Sequence, residues 1–74
     1  MNDKRRKAVK TIAFELADIR DRLCSLEEEE QESIDNTPES LQDTERYSHA
    51  EECVEILADA QSDIDTIIDN LDEM

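Results

Sequence analysis

The sequence predicts an all-α fold in which two long helices form an antiparallel, coiled-coil-like hairpin. Glycine is absent, proline occurs once, and only Phe14 and Tyr47 are aromatic. β-Sheets and their turns draw heavily on these residue types, so the composition disfavours a β architecture. A chain of 74 residues also makes one domain at most, over residues 1–74, with little room for a core.

Apolar periodicity predicts the first helix over about residues 4–32. Apolar residues at alternating spacings of three and four form a heptad seam, the pattern of a helix that packs along a second helix. The seam comprises Val9, Ile12, Leu16, Ile19, Leu23 and Leu26.

The apex of the hairpin is predicted over residues 33–37, next to the only proline. Asp35 and Asn36 tolerate turn conformations, Thr37 suits a helix cap, and Pro38 suits the first position of a helix. The acidic stretch LEEEEQESIDNTPESLQ, residues 26–42, is therefore predicted to be the folded apex and not a disordered linker.

The second helix is predicted over about residues 38–73. Its seam comprises Tyr47, Ala50, Val54, Leu57, Gln61, Ile64, Ile68 and Leu71. When seam residues are paired so that their numbers add to 73, each one of helix 1 meets one of helix 2, and Gln61 faces Ile12. A polar residue in a seam either fixes the register or reaches out to solvent.

The charge of the chain points to a basic partner. Eight basic and 22 acidic residues give a net charge of −14, which strongly disfavours binding to bare nucleic acid or an anionic membrane. The predicted register places Lys4, Arg5, Arg6, Lys7 and Lys10 beside Asp63, Asp65, Asp69, Asp72 and Glu73. The alternative is a flexible basic tail that binds phosphate or a partner.

Several absences indicate a cytoplasmic protein. No apolar run is long enough to cross a membrane, and no signal-peptide core follows MNDKRRK. Two cysteines, Cys24 and Cys53, are too few for a secreted disulfide framework.

Apolar residues outside the seams predict a homodimer. A lone hairpin would leave them in water, and two hairpins could bury them in a four-helix bundle. The alternative is that a different protein covers them. The expected interface comprises Phe14, Ala17, Ile56, Ala60 and Ile67.

The sequence offers no catalytic, metal or cofactor site. Cys24, His49 and Cys53 could approach one another, but zinc in such a site wants a fourth ligand and no other Cys or His exists. We interpret them as two half-buried thiols and a solvated imidazole. No nucleophile motif or phosphate loop occurs, so we expect that the protein is not an enzyme and takes no cofactor.

Carboxylates at four-residue steps form the candidate partner-binding surface, together with glutamates of the apex. Four residues of helix rise roughly 6 Å, comparable to the separation of phosphates along a nucleic-acid strand. This spacing is typical of a DNA mimic; the alternative is a solvated face that keeps the protein soluble. The residues are Glu51, Glu55, Asp59 and Asp63 on helix 2 and Glu27, Glu28 and Glu30 at the apex.

The central block IDNTPESLQDTERYSHAEECVEILADA resembles a group of small acidic proteins from bacteriophages, prophages and other mobile elements, which share a turn of the form N-x-P-E-x-L-Q followed by S/T-E-R-Y. The resemblance implies a helical hairpin and a mobile-element context. It also implies an apex lid of Ile34 and Leu41, and a structural role for Arg46 in pairing with Glu27, Glu30 or Asp43. The alternative for Arg46 is a specific contact with a partner. The matching residues are Asn36, Pro38, Glu39, Leu41, Gln42, Thr44, Glu45, Arg46 and Tyr47.

These observations predict a non-enzymatic binding module that inhibits or modulates a basic, nucleic-acid-binding host protein. The alternative is a structural protein whose homo-oligomerisation is its role.

Overall fold

The computed structural model describes residues 1–74, which form two helices packed against each other as an antiparallel hairpin. Helix α1 spans Asp3–Asp35, a 3₁₀ turn spans Glu39–Leu41, and helix α2 spans Glu45–Asp72. The molecule is a rod of 60 × 14 × 13 Å. Of its 62 backbone hydrogen bonds, 53 lie within the helices. The prediction of an all-α helical hairpin is confirmed.

Polar residues at both ends of α1 satisfy backbone groups that the helix leaves free. The Asn2 side chain accepts a hydrogen bond from the backbone N–H of Arg5 over 2.8 Å. At the other end the Thr37 hydroxyl donates to the carbonyl of Ser33 over 2.9 Å. Caps of this kind offset the cost of unpaired backbone groups at helix ends. Thr37 therefore serves the end of α1 and not the start of α2.

The connection between the helices is longer than predicted. Pro38 has φ −59° and ψ 145°, an extended conformation, so it precedes the 3₁₀ turn and is not the first residue of α2. The second helix begins at Glu45 because Thr44 caps it, accepting a hydrogen bond from the backbone N–H of Tyr47 over 3.2 Å. The prediction that helix 2 begins at residue 38 is wrong.

Two hydrogen bonds between the helices establish their register. Arg20 donates to Asp65 over 2.6 Å, and Gln61 donates to Glu27 over 2.8 Å, so these pairs have numbers that add to 85 and 88. The predicted sum of 73 is wrong. The half-buried residues of the two helices repeat so that their numbers add to 84, the value of this repeat nearest to 85 and 88, and we therefore place Leu23 and Gln61 in one layer.

The new register preserves one predicted seam and rotates the other. The sum of the paired residue numbers increases by 11, from 73 to 84. Eleven residues make close to three full helical turns, so the predicted seam of α2 still faces α1. On α1, however, Ile12, Ile19 and Leu26 are exposed by 49%, 42% and 52%. Their places in the seam are taken by the following residues, Ala13, Arg20 and Glu27.

The hairpin encloses very little core. Only Ala13 and Ile34, at opposite ends of the seam, are buried. The other seam residues of both helices are half-buried, because a single neighbouring helix covers only one side of each. Most of the apolar surface that a third or fourth helix would cover remains in contact with solvent.

The shifted register also separates the basic cluster from the acidic end of α2. In the observed register the residue numbers in each layer add to 84, so Met74 lies level with Lys10. The start of α1 therefore extends past the end of α2. We call residues 3–12 the base segment; only Val9 in it is half-buried and the rest are exposed. The three ion pairs join Arg20 to Asp21 and Asp65, and Arg22 to Asp18. The predicted pairing of the basic cluster with the acidic end is therefore wrong.

Neither helix contains an apolar stretch of the length needed to span a bilayer.

Candidate protein-binding surface

Four carboxylates at four-residue steps wind round the exposed surface of α2, each turned by roughly 40° from the one before, and we call them the acidic ridge. Glu51, Glu55, Asp59 and Asp63 are all exposed. None of them enters an ion pair or a side-chain hydrogen bond. The helix that carries them is continuous from Glu45 to Asp72, so successive carboxylates are held roughly 6 Å apart along one axis. The ridge is a rigid row of charges with no counter-charge from this chain.

The three apex glutamates lie in three different environments. Glu27 is half-buried in the seam and accepts the hydrogen bond from Gln61. Glu28 is exposed and accepts a weak hydrogen bond from the Cys24 thiol over 3.7 Å. Glu30 is half-buried beside the apex. Glu27 is therefore occupied within the hairpin, whereas Glu28 remains exposed.

An open groove lies at the apex, between the end of α1 and the start of α2, and we call it the apex groove. Its volume is about 1100 Å³. Apolar side chains from both helices and the connection line it, and Glu29 and Glu30 lie on its α1 side. Its apolar residues include Leu26, Ile34, Leu41, Tyr47, Cys53 and Leu57. This groove was not predictable from residue spacing, because it depends on the nine-residue connection, residues 36–44.

The predicted apex lid forms only in part. Ile34 is buried, but Leu41 is exposed by 51%, and both line the apex groove. Arg46 lines the groove as well, is exposed, and makes no ion pair. The predicted pairing of Arg46 with Glu27, Glu30 or Asp43 is therefore wrong.

The cysteines and the histidine do not assemble into one cluster. The Cys53 thiol lies 3.6 Å from Nε2 of His49, one turn earlier on α2. Cys24 instead contacts Glu28 on α1, and no group of three metal-ligating side chains comes together. Partial desolvation, followed by the charge and the hydrogen bond of Glu28, raises the pKa of the Cys24 thiol. A thiol held protonated is a weak nucleophile and a weak metal ligand.

The residues expected at a dimer interface are divided between two sides of the rod. The two helices run in opposite directions, so their residues circle the two helix axes in opposite senses when viewed from one end of the rod. The residues immediately before Arg20 and Gln61 in the chain therefore lie on the same side of the hairpin. This places Ile19 and Ala60, with their heptad equivalents, on one side. Ala17 follows Leu16 in the seam and lies on the other side.

The exposure of this expected interface fits that division. Phe14 is exposed by 79%, Ile56 by 65% and Ile67 by 46%, while Ala17 and Ala60 are half-buried. Ile56 and Ile67 lie toward the side of Ala60. Phe14 points outward from α1, close to Asp18 and Arg22. One flat surface containing all five residues does not exist in the hairpin.

The surface thus offers an uncompensated acidic ridge, an apolar groove at the apex and a basic segment at the opposite end. Comparison of the chain with known protein families, with curated proteins and with solved structures found no match.

Proposed function

We propose that the protein is a non-enzymatic acidic binding module, acting in the cytoplasm of a host cell, that inhibits or modulates a basic, nucleic-acid-binding protein. The observation that carries this proposal is the acidic ridge. Its four carboxylates are exposed, evenly spaced and free of any pairing within the chain. Of 22 acidic residues, only Asp18, Asp21 and Asp65 enter ion pairs.

The spacing supports mimicry of a nucleic-acid strand. Carboxylates on successive turns of α2 repeat at roughly 6 Å, comparable to the separation of neighbouring phosphates. A groove that binds phosphates with Lys and Arg would accept such a row and release its counterions, as it does with nucleic acid. Like charges at four-residue spacing weaken a helix by roughly 0.2–0.5 kcal/mol per pair, a cost that binding to a basic groove offsets.

The resemblance to small acidic proteins of mobile elements supports a host protein as the target. Such elements gain when a host nuclease or other nucleic-acid-binding defence protein is blocked. Occupation of the nucleic-acid groove by a rigid acidic helix would inhibit that protein without any catalytic step.

A pull-down from bacterial host lysate tests the proposal. We expect capture of a nucleic-acid-binding protein that is lost as salt rises and is competed by added DNA or RNA. Replacing Glu55, Asp59 and Asp63 by Gln or Asn should weaken the binding at least about tenfold, because each loses a charge aimed at the basic groove.

A matched variant separates the ridge from net charge. Glu15→Gln, Asp18→Asn and Glu32→Gln also remove three negative charges, but from α1, and should leave capture nearly unchanged. If both variants captured the partner equally poorly, the effect would come from overall charge and not from the acidic ridge. Capture that survives both the competitor and the ridge substitutions would rule out mimicry.

Self-association is a second candidate function, favoured by a different observation. Only two residues of 74 are buried, and large apolar side chains including Ile19, Ile56 and Ile67 are exposed. Burial of each large apolar side chain contributes roughly 1.5–3 kcal/mol, so a second hairpin would stabilise so small a fold considerably. Sedimentation equilibrium over a range of concentrations measures this association directly.

A further inference from the structure

We propose that the base segment of one hairpin docks into the apex groove of a second copy, giving an antiparallel dimer with two equivalent contacts. This inference deepens the self-association proposed above and does not depend on the identity of any target. It rests on three features of the hairpin: an apolar side that both helices share, opposite charges at its two ends, and matching lengths.

The shared apolar side runs along most of the rod. On α1, the residues immediately before the seam residues Ala13, Arg20 and Glu27 are all large and apolar, and they are exposed by 42–52%. The equivalent positions of α2, which precede Val54, Gln61 and Ile68, lie on the same side and are also apolar. This side therefore comprises Ile12, Ile19, Leu26, Cys53, Ala60 and Ile67.

The apex groove opens on this same side. Leu26 and Cys53 belong both to the apolar side and to the lining of the groove. The opposite side of the hairpin is more polar, since it carries the ion pair of Arg20 with Asp65. A second hairpin that covers the apolar side consequently reaches the groove as well.

Charge selects the occupant of the groove. Residues 4–10 contain five basic residues and no acidic one, whereas residues 27–45 contain nine acidic residues and no basic one, and Arg46 is the one Arg or Lys that lines the groove. The base segment makes no ion pair within its own chain, and Glu29 and Glu30 border the groove. Val9 and Ile12 of the base segment supply apolar contacts to its floor, while the bases meet the glutamates.

Charge also selects the orientation of the two hairpins. In a parallel dimer two basic ends and two acidic apices would lie side by side and repel. In an antiparallel dimer each basic end meets an acidic apex, which is favourable at both ends. The acidic ridge is not part of the apolar side and stays exposed in this arrangement.

The lengths agree with this placement. The rod is 60 Å long, and α1 rises roughly 1.5 Å per residue from its start at Asp3. When two rods overlap fully in opposite directions, Ile12 of one therefore lies level with Ile34 of the other, at the apex groove. The same overlap brings Ile19 level with Leu26 of the second copy, so apolar residues meet along the middle.

Sedimentation of matched variants tests the surface. Ile19→Ser with Ile67→Ser should raise the dimer dissociation constant at least about tenfold, with helicity by circular dichroism unchanged. Phe14→Ser, which alters a still more exposed apolar residue away from the apolar side, should leave the dissociation constant unchanged. A wild-type monomer at millimolar concentration would overturn both self-association and this inference.

Spin labels test the orientation independently of any loss of binding. With Cys24→Ser and Cys53→Ser, a nitroxide on Thr11→Cys should give a distance of about 35 Å between the two copies in the antiparallel dimer. A parallel dimer would give less than about 20 Å. A dimer with the short distance, or one weakened by Phe14→Ser and not by the Ile19 and Ile67 changes, would overturn the docking and leave self-association standing.

Discussion

Gln61 donates a hydrogen bond to Glu27 over 2.8 Å and a second one to the carbonyl of Leu57 over 3.0 Å, joining helices at positions 34 residues apart in the chain. A slip of one turn would break the bond to Glu27 and leave this half-buried amide only the bond to Leu57 within its own helix, so the amide favours the observed alignment over its neighbours. Gln61 is thus the polar seam residue that distinguishes the observed register from its neighbours, and it does so through an acidic partner.

Crosslinking distinguishes the observed register from the one that heptad matching predicts. In a Cys24→Ser, Cys53→Ser background, Leu16→Cys with Ile68→Cys should react within one chain with a short thiol-to-thiol crosslinker, because these positions share a layer. Leu16→Cys with Leu57→Cys should not, since the observed register separates the two layers by about 16 Å. Mass spectrometry of the monomeric product reads out both; efficient crosslinking of the second pair alone would contradict the register.

Ile34 should be the most sensitive apolar position of the hairpin. It is the only large side chain that is buried, so Ile34→Ala should lower the free energy of unfolding by roughly 2–5 kcal/mol. Leu41→Ala, a neighbour in the apex groove that is exposed by 51%, should cost less than about 0.5 kcal/mol. Urea denaturation followed by circular dichroism measures both. Equal costs would mean that Leu41 closes over Ile34 in solution.

The caps of α2 and α1 can be compared by two single threonine substitutions. Thr44→Ala removes the acceptor for the Tyr47 N–H and should lower stability by roughly 1 kcal/mol. Thr37→Ala removes only a donor to the carbonyl of Ser33, and should cost less because water can replace it. Thermal unfolding should rank them in this order; the reverse order would indicate that α2 begins before Glu45.

The Cys24 thiol should react slowly with alkylating reagents. Partial desolvation and the neighbouring Glu28 raise its pKa above the ordinary value of 9.0, so the reactive thiolate forms only at higher pH. In a Cys53→Ser variant, the rate of iodoacetamide modification should reach its half-maximum at higher pH than in an unfolded peptide. Glu28→Gln should shift that midpoint down; an unshifted midpoint would show that Glu28 does not act on the thiol.

The sequence predicted the helices well and their alignment poorly. Seam residues such as Val54 and Leu57 fix which face of α2 meets α1, because the repeat recurs over the whole helix. No such repeat specifies which residue of α2 lies opposite which residue of α1, because sliding α2 along α1 by three turns presents the same face again. What decides it is the connection, where Pro38 extends the chain and Thr44 starts the second helix.

The candidate site was predictable to the same extent. The acidic ridge follows from residue spacing on one helix, so Glu51 to Asp63 appear together in the sequence as in the structure. Glu27 could not be assigned correctly, because its role depends on which residue of α2 lies opposite. The apex groove involves both helices and the connection at once, and the predicted five-residue turn contained no space for it.

The dominance of hydrogen bonds within the helices bears on how the chain folds. Because 53 of the 62 backbone hydrogen bonds lie within helices, most of these bonds join residues that are close in the sequence, so contact order is low. Little conformational entropy is therefore lost in closing loops before these native contacts form. Chains of this type fold in microseconds to milliseconds. Newly made protein would therefore reach its final shape almost as soon as synthesis ends, with only a nine-residue loop to close.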